Sequence, residues 1–107
     1  MLSEFVKVAT VGDVPDNSMI GVTAGGEEIV LVKIGDDYFA LDDWCSHAGG
    51  MLHEGELHPD AFEVECPIHE GMYDVRTGEV TMLPPEEDVA AYAVRIEGND
   101  ILVGPRR

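Results

Sequence analysis

Apolar and polar positions along this chain fall into short β-branched runs, and the runs are cut by residues that turn a backbone sharply. Phe5-Val6-Lys7-Val8, Glu28-Ile29-Val30-Leu31-Val32-Lys33-Ile34, Tyr38-Phe39-Ala40-Leu41, Phe62-Glu63-Val64-Glu65-Cys66, Ala91-Tyr92-Ala93-Val94-Arg95-Ile96 and Ile101-Leu102-Val103 each read as a strand. Between them stand Gly25-Gly26, Gly35-Asp36-Asp37, Thr77-Gly78 and Gly98-Asn99-Asp100, which accept positive φ or bond their own backbone in a tight turn. The pattern predicts an all-β chain built as an antiparallel sandwich or barrel. Val11-Gly12-Asp13-Val14-Pro15 has room for one turn of helix at most.

Two stretches, residues 42–61 and 67–75, break the strand rhythm. A structureless segment near 20 residues is uncommon inside a compact domain, so the first needs a physical reason. Its chemistry offers one. Cys45-Ser46-His47 is followed, after 18 intervening residues, by Cys66-Pro67-Ile68-His69, and this pattern takes both cysteines and half of the four histidines in the chain. The cysteines are 21 positions apart and each has a histidine within three residues, which favours metal ligation over a disulfide.

Thiolate and imidazole together suit zinc or an iron-sulfur cluster. Zinc fingers usually pair like with like, whereas each loop here supplies one cysteine and one histidine. A 2Fe-2S cluster of the Rieske kind needs both thiolates on one iron and both imidazoles on the other, and two opposed loops each carrying one of each meet that need. A structural zinc domain is the competing reading of the same residues.

Size and charge narrow the rest. At 107 residues and 45% hydrophobic content the chain is expected to be one domain, 1–107, able to bury a core without disulfides. The formal charge of -16, from 22 acids against 6 bases, argues against a nucleic-acid partner. It is either a solvated acidic surface or a field that steers a basic protein partner. Met1-Leu2-Ser3-Glu4-Phe5 lacks a basic segment followed by an apolar stretch, and no 18 apolar residues run together, so a soluble, cytoplasmic protein without a membrane partner is expected. No nucleotide loop, nucleophile-base set or mononuclear iron site is visible, so no catalysis and no small-molecule substrate of its own are expected.

Cys45-x-His47 and Cys66-Pro67-x-His69, with Gly49-Gly50 after the first pair and Tyr73-Asp74-x-x-Thr77-Gly78-Glu79-Val80 after the second, resemble a Rieske iron-sulfur domain over nearly the whole chain. Family members of this size are Rieske-type ferredoxins, the electron carriers of bacterial ring-hydroxylating oxygenase systems. The resemblance implies one 2Fe-2S cluster, with Cys45 and Cys66 on the inner iron and His47 and His69 on the outer, in a two-loop cluster-binding subdomain over about 42–83. It implies a flavin-dependent reductase as electron donor and a terminal oxygenase as acceptor. The small Rieske-like subunit of nitrite reductase type complexes is an alternative, although that family often lacks the ligands present here.

The same resemblance assigns the surroundings. Gly50 and Ile68 stand where high-potential Rieske proteins carry a bridged pair of extra cysteines, and Gly71 stands where they carry a serine donor to the cluster. Tyr73 is kept, with its hydroxyl expected to face the Cys45 sulfur. Gly49 and Gly50 let the backbone approach the cluster, and Pro84-Pro85 resembles the proline loop that covers one side of it. Trp44 is expected to be a packing anchor and Met51, Leu52, Met72, Met82 and Leu83 to be packing residues, with His53 and His58 exposed in the long first loop. Loss of the serine donor places the reduction potential in the lower part of the Rieske range of about -150 to +300 mV, and a redox titration giving a midpoint above about +150 mV would contradict this.

Overall fold

The computed structural model describes residues 4–45, 50–68, 71–82 and 87–107. Ten strands occur along it: β1 (Val6–Thr10), β2 (Ser18–Ala24), β3 (Glu27–Ile34), β4 (Asp37–Asp42), β5 (Glu56–His58), β6 (Glu63–Glu65), β7 (Met72–Asp74), β8 (Val80–Met82), β9 (Ala91–Glu97) and β10 (Asp100–Arg106). Two antiparallel sheets result, one of six strands in the order β1-β10-β9-β4-β3-β2 and one of four in the order β5-β6-β7-β8. The edge strands β1 and β2 of the larger sheet lie against each other, so that sheet curls nearly into a barrel. The expected all-β sandwich or barrel with a small appended unit is the architecture found.

The turns follow from the glycines. Gly25 and Gly26 join β2 to β3 with φ of 56° and 82°, and Gly35 and Gly98, at φ 60° and 63°, open the two-residue turns after β3 and β9. Such left-handed backbone matches the twist of a hairpin and strains any residue with a Cβ. One helical turn, Val11–Asp13, fills the segment predicted to hold one.

Strand β3 explains why the two sheets stay together. Ile29 and Leu31 belong to a core with Ala9, Val14, Ala24, Ala40, Tyr92, Ile101 and Val103, inside the curled sheet. Val30, Val32 and Ile34 belong to a second core with Leu41, Leu52, Val64, Tyr73, Val75 and both cysteines. A strand apolar on both faces is buried on both faces, which is the reason for the unbroken Ile29-Val30-Leu31-Val32 run.

Three features depart from the pattern read along the chain. Ser18–Ala24, with Gly21 at its centre and polar residues at intervals, is a full strand because β3 pairs with it residue by residue from Ser18↔Lys33 to Ala24↔Glu27. Residues 42–61 are not structureless: they hold a 3-10 turn at Leu52–Glu54, strand β5, and a second such turn at Pro59–Ala61 that reverses the chain into β6. Strand β7 lies within the second break, paired with β6 from Glu63↔Asp74 to Glu65↔Met72.

Where β4 meets β9, the buried Tyr92 hydroxyl donates to Asp42 Oδ1 at 2.6 Å, while Asp42 Oδ2 accepts from the Ala90 N–H at 3.3 Å. Burial first, and the Asp42 carboxylate second, push the Tyr92 phenol up to about 12 from 10.0. A phenol whose folded value is raised stabilises the fold fully below pH 10.0, and that contribution is lost as pH climbs toward about 12. Denaturation across this range is expected to show an alkaline loss of stability that is absent from Tyr92→Phe; equal pH profiles for the two proteins would refute it.

Candidate metal centre

Both loops that carry the Cys/His pattern are tips of β-hairpins, and they are closed in the same way. In the first, Asp43 accepts at its carbonyl from the Leu52 N–H (2.6 Å), Trp44 and Met51 form a bridge, and the Cys45 N–H donates to the Gly50 carbonyl at 2.7 Å. In the second, the β6–β7 ladder runs up to Glu65↔Met72, and the Cys66 N–H donates to the Gly71 carbonyl at 2.7 Å. Each cysteine thus opens a turn of equal length that ends on a glycine. Cys45 and Cys66 are 4% and 0% exposed, members of one apolar core, and not joined by a disulfide. His47, His69, Gly49 and Pro84 lie outside the described residues.

The two hairpin tips touch. A Cβ on Gly50 would stand 2.9 Å from Ile68 Cδ1, so Ile68 of the second loop rests on the bare backbone of the first. Positions 50 and 68 therefore meet across the loops, with an isoleucine on a glycine where a bridged pair of cysteines stands in the high-potential proteins of the resemblance. From β7, the fully buried Tyr73 crosses to the first loop and places its hydroxyl 3.4 Å from Cys45 Sγ.

The Rieske [2Fe-2S] domain model matches residues 4–93. The chain belongs to the Rieske [2Fe-2S] domain family. Over 103 residues it is 31% identical to the ferredoxin component of the naphthalene 1,2-dioxygenase/salicylate 5-hydroxylase systems of a Ralstonia species, covering 96% of this chain and 97% of that one. The structure of the ferredoxin of carbazole 1,9a-dioxygenase from Nocardioides aromaticivorans superposes with a TM-score of 0.92 at 40% identity, over 96% of this chain and 99% of that one. A ferredoxin captured in complex with the oxygenase of carbazole 1,9a-dioxygenase superposes with a TM-score of 0.87 at 26% identity, over 95% and 94% of the two chains.

The described part of this Rieske domain fits a 2Fe-2S cluster. Two thiols are buried among Leu52, Val64 and Val75, where a thiolate is unfavourable unless a metal takes its charge. A hydroxyl stands beside one of them.

Several side chains sit elsewhere than expected. Trp44 is 52% exposed, not a buried anchor, because strand alternation sends its neighbours Asp43 and Cys45 inward and leaves it facing out. Met82, on the edge strand β8, is likewise exposed rather than packed. His53 and His58 are not free loop residues: His53 is paired with the buried Asp43, and His58, on β5, has Nε2 2.8 Å from Glu65 Oε1. At the far end of β7 the Arg76 guanidinium, with help from the Arg76 and Thr77 backbone N–H groups, holds the Asp74 carboxyl below its usual value against the opposing effect of burial.

Two residues of the site carried no signal in the pattern. Asp43, next to Asp42 just past the end of β4, drew no reading of its own. Gly55 drew none either, yet a Cβ there would lie 1.9 Å from the Glu65 carbonyl oxygen, directly before Cys66. Gly55→Ala is expected to force β6 away and to cost about 2 kcal/mol or more, the range of steric overpacking. Urea denaturation checks this, and a loss under about 0.5 kcal/mol, typical of a surface change, would contradict it.

Proposed function

We propose that this chain is the electron-carrying ferredoxin of a ring-hydroxylating oxygenase system, taking one electron from a flavin-dependent reductase and delivering it to a terminal oxygenase. It is a single cytoplasmic domain, residues 1–107, with no bond chemistry of its own. The observation that carries this reading is the pair of like-built hairpins that bury Cys45 and Cys66 in one core. End-to-end likeness to proteins named as ferredoxin components supports it.

In this reading Cys45 and Cys66 hold the inner iron and His47 and His69 the outer. The bound cluster supplies a one-electron couple. The chain's own residues set its surroundings: Leu52, Val64 and Val75 keep water from the thiolates, the Tyr73 hydroxyl donates to the Cys45 sulfur, and Gly49 and Gly50 bring backbone close. Pro84 is assigned to the cover over one side. The reduced cluster carries one more negative charge than the oxidised one, so each donor to it favours reduction.

The rim around the two loops is the docking face for the oxygenase. Trp44, Ile68 and Met82 are 52%, 54% and 50% exposed, and they account for three of the five large apolar side chains exposed among the described residues. They flank Cys45, Cys66 and the end of β8. An apolar rim is desolvated on contact, while the charge of -16 speeds encounter with a basic face.

Two experiments test the reading. Tyr73→Phe should keep the visible spectrum and lower the midpoint potential by up to about 100 mV, since a hydrogen bond to a charged acceptor is worth about 1.5 to 3 kcal/mol and only its difference between redox states counts; an unchanged midpoint contradicts the donor role. In stopped flow, a terminal oxygenase from the same organism should reoxidise the reduced protein, with the rate falling as salt is raised. Ile68→Asp should slow it about tenfold without altering the protein's own spectrum. An oxygenase that leaves the reduced protein unoxidised would overturn the proposed acceptor.

A further inference from the structure

The two cluster hairpins differ in what holds them. Below Cys66 the backbone ladder of β6 and β7 has three successive pairs, Glu65↔Met72, Val64↔Tyr73 and Glu63↔Asp74. Below Cys45 there is one bridge, Trp44↔Met51, and one bond from the Leu52 N–H to the Asp43 carbonyl. The first loop therefore lacks the rungs that fix the second.

A side-chain pair stands in the place of those rungs. The Asp43 side chain is 1% exposed, and its Oδ1 accepts from the His53 backbone N–H at 2.8 Å while its Oδ2 takes a short bond from His53 Nδ1. The Asp43 N–H donates to the Glu28 carbonyl of β3 at 3.0 Å. The His53 ring lies on β2 at Gly21, where an added Cβ would stand 2.7 Å from Nδ1. Asp43 and His53 together thus tie the entry of the first loop, its exit and two strands of the larger sheet into a single unit, two residues before Cys45.

We propose that His53 is a positioning residue for the cluster: through Asp43 it fixes both ends of the first loop, and so fixes Cys45 against Tyr73. The inference rests on the ferredoxin reading. It assigns His53 to the loop's frame and not to the ligand set. Without the His53 ring, Asp43 keeps the backbone N–H of residue 53 on Oδ1 but loses the donor to Oδ2, which leaves that oxygen of a buried carboxylate unsatisfied, and the loop must shift to satisfy it. That shift moves Cys45 Sγ away from the Tyr73 hydroxyl.

The test uses purified holoprotein and reads midpoint potential, the electron paramagnetic resonance spectrum of the reduced state, and the rate at which visible absorbance is lost. His53→Ala should lower the midpoint, change the g values and speed cluster loss at least about tenfold, the factor that one charge-assisted hydrogen bond represents. His53→Asn, which keeps a donor of similar reach, should recover most of the midpoint and lifetime. Gly21→Ala, which displaces the ring while leaving Asp43 and His53 in the sequence, should reproduce the Ala phenotype and carries the test if His53→Ala does not fold.

Wild-type midpoint and cluster lifetime in His53→Ala, or in Gly21→Ala where that variant stands in, would overturn the inference, as would Asn no better than Ala. So would a lowered thermal midpoint with all three cluster readouts unmoved, because that is a structural role alone. A wild-type protein that holds no 2Fe-2S cluster would instead sink the ferredoxin reading itself.

Discussion

Burying two cysteines in an apolar core is the constraint on which the rest of this structure turns. Cys45 and Cys66 share their surroundings with Leu52, Val64, Val75 and Val89 and are 4% and 0% exposed, which leaves little water to solvate a thiolate. Such a site is favourable when a metal takes the charge and polar groups are aimed at the sulfurs, and unfavourable otherwise. The remaining features serve that condition. The two hairpins deliver the thiols to one place, β3 with apolar residues on both faces joins the cluster sheet to the curled sheet, and Tyr73 on β7 brings a hydroxyl within hydrogen-bond reach of the Cys45 sulfur.

The molecule divides its surface as it divides its core. Most of the chain is heavily acidic and takes little part in the site, which suits a carrier that meets partners briefly and must leave them. Near the two cysteines Trp44 and Ile68 are exposed, as is Met82 at the end of β8. Contact between Ile68 and the Gly50 backbone means that the proposed docking rim and the loop-to-loop joint share Ile68. A partner pressing on that rim presses on the joint between the loops.

Much of this was legible in the sequence where local chemistry decided the outcome. The glycine turns and the strand run of β3 each have one physical reading and each is found, and the two cysteines of the paired spacing meet in one core. What escaped was set by partners distant in sequence. Ser18–Ala24 is a strand only because β3 offers it a complete ladder, so its interrupted apolar pattern did not mark it. Trp44 was expected inside because it is aromatic, whereas alternation from Cys45 outward leaves it exposed and turns Asp43 inward. Asp43 tolerates burial because His53 lies ten residues on, across a loop whose closure no pattern announced. The roles assigned to His47, His69, Gly49 and Pro84 rest on sequence and family alone.

The central claim is that one iron carries two thiolates and the other two imidazoles. Electron paramagnetic resonance of the dithionite-reduced protein at low temperature measures this most directly, because nitrogen ligation on one iron lowers the mean g value below that of an all-cysteine 2Fe-2S cluster. The account predicts that lower mean g value, from a red-brown protein that bleaches on reduction. A spectrum of the all-cysteine type, or a colourless protein with stoichiometric zinc and no signal, would contradict it.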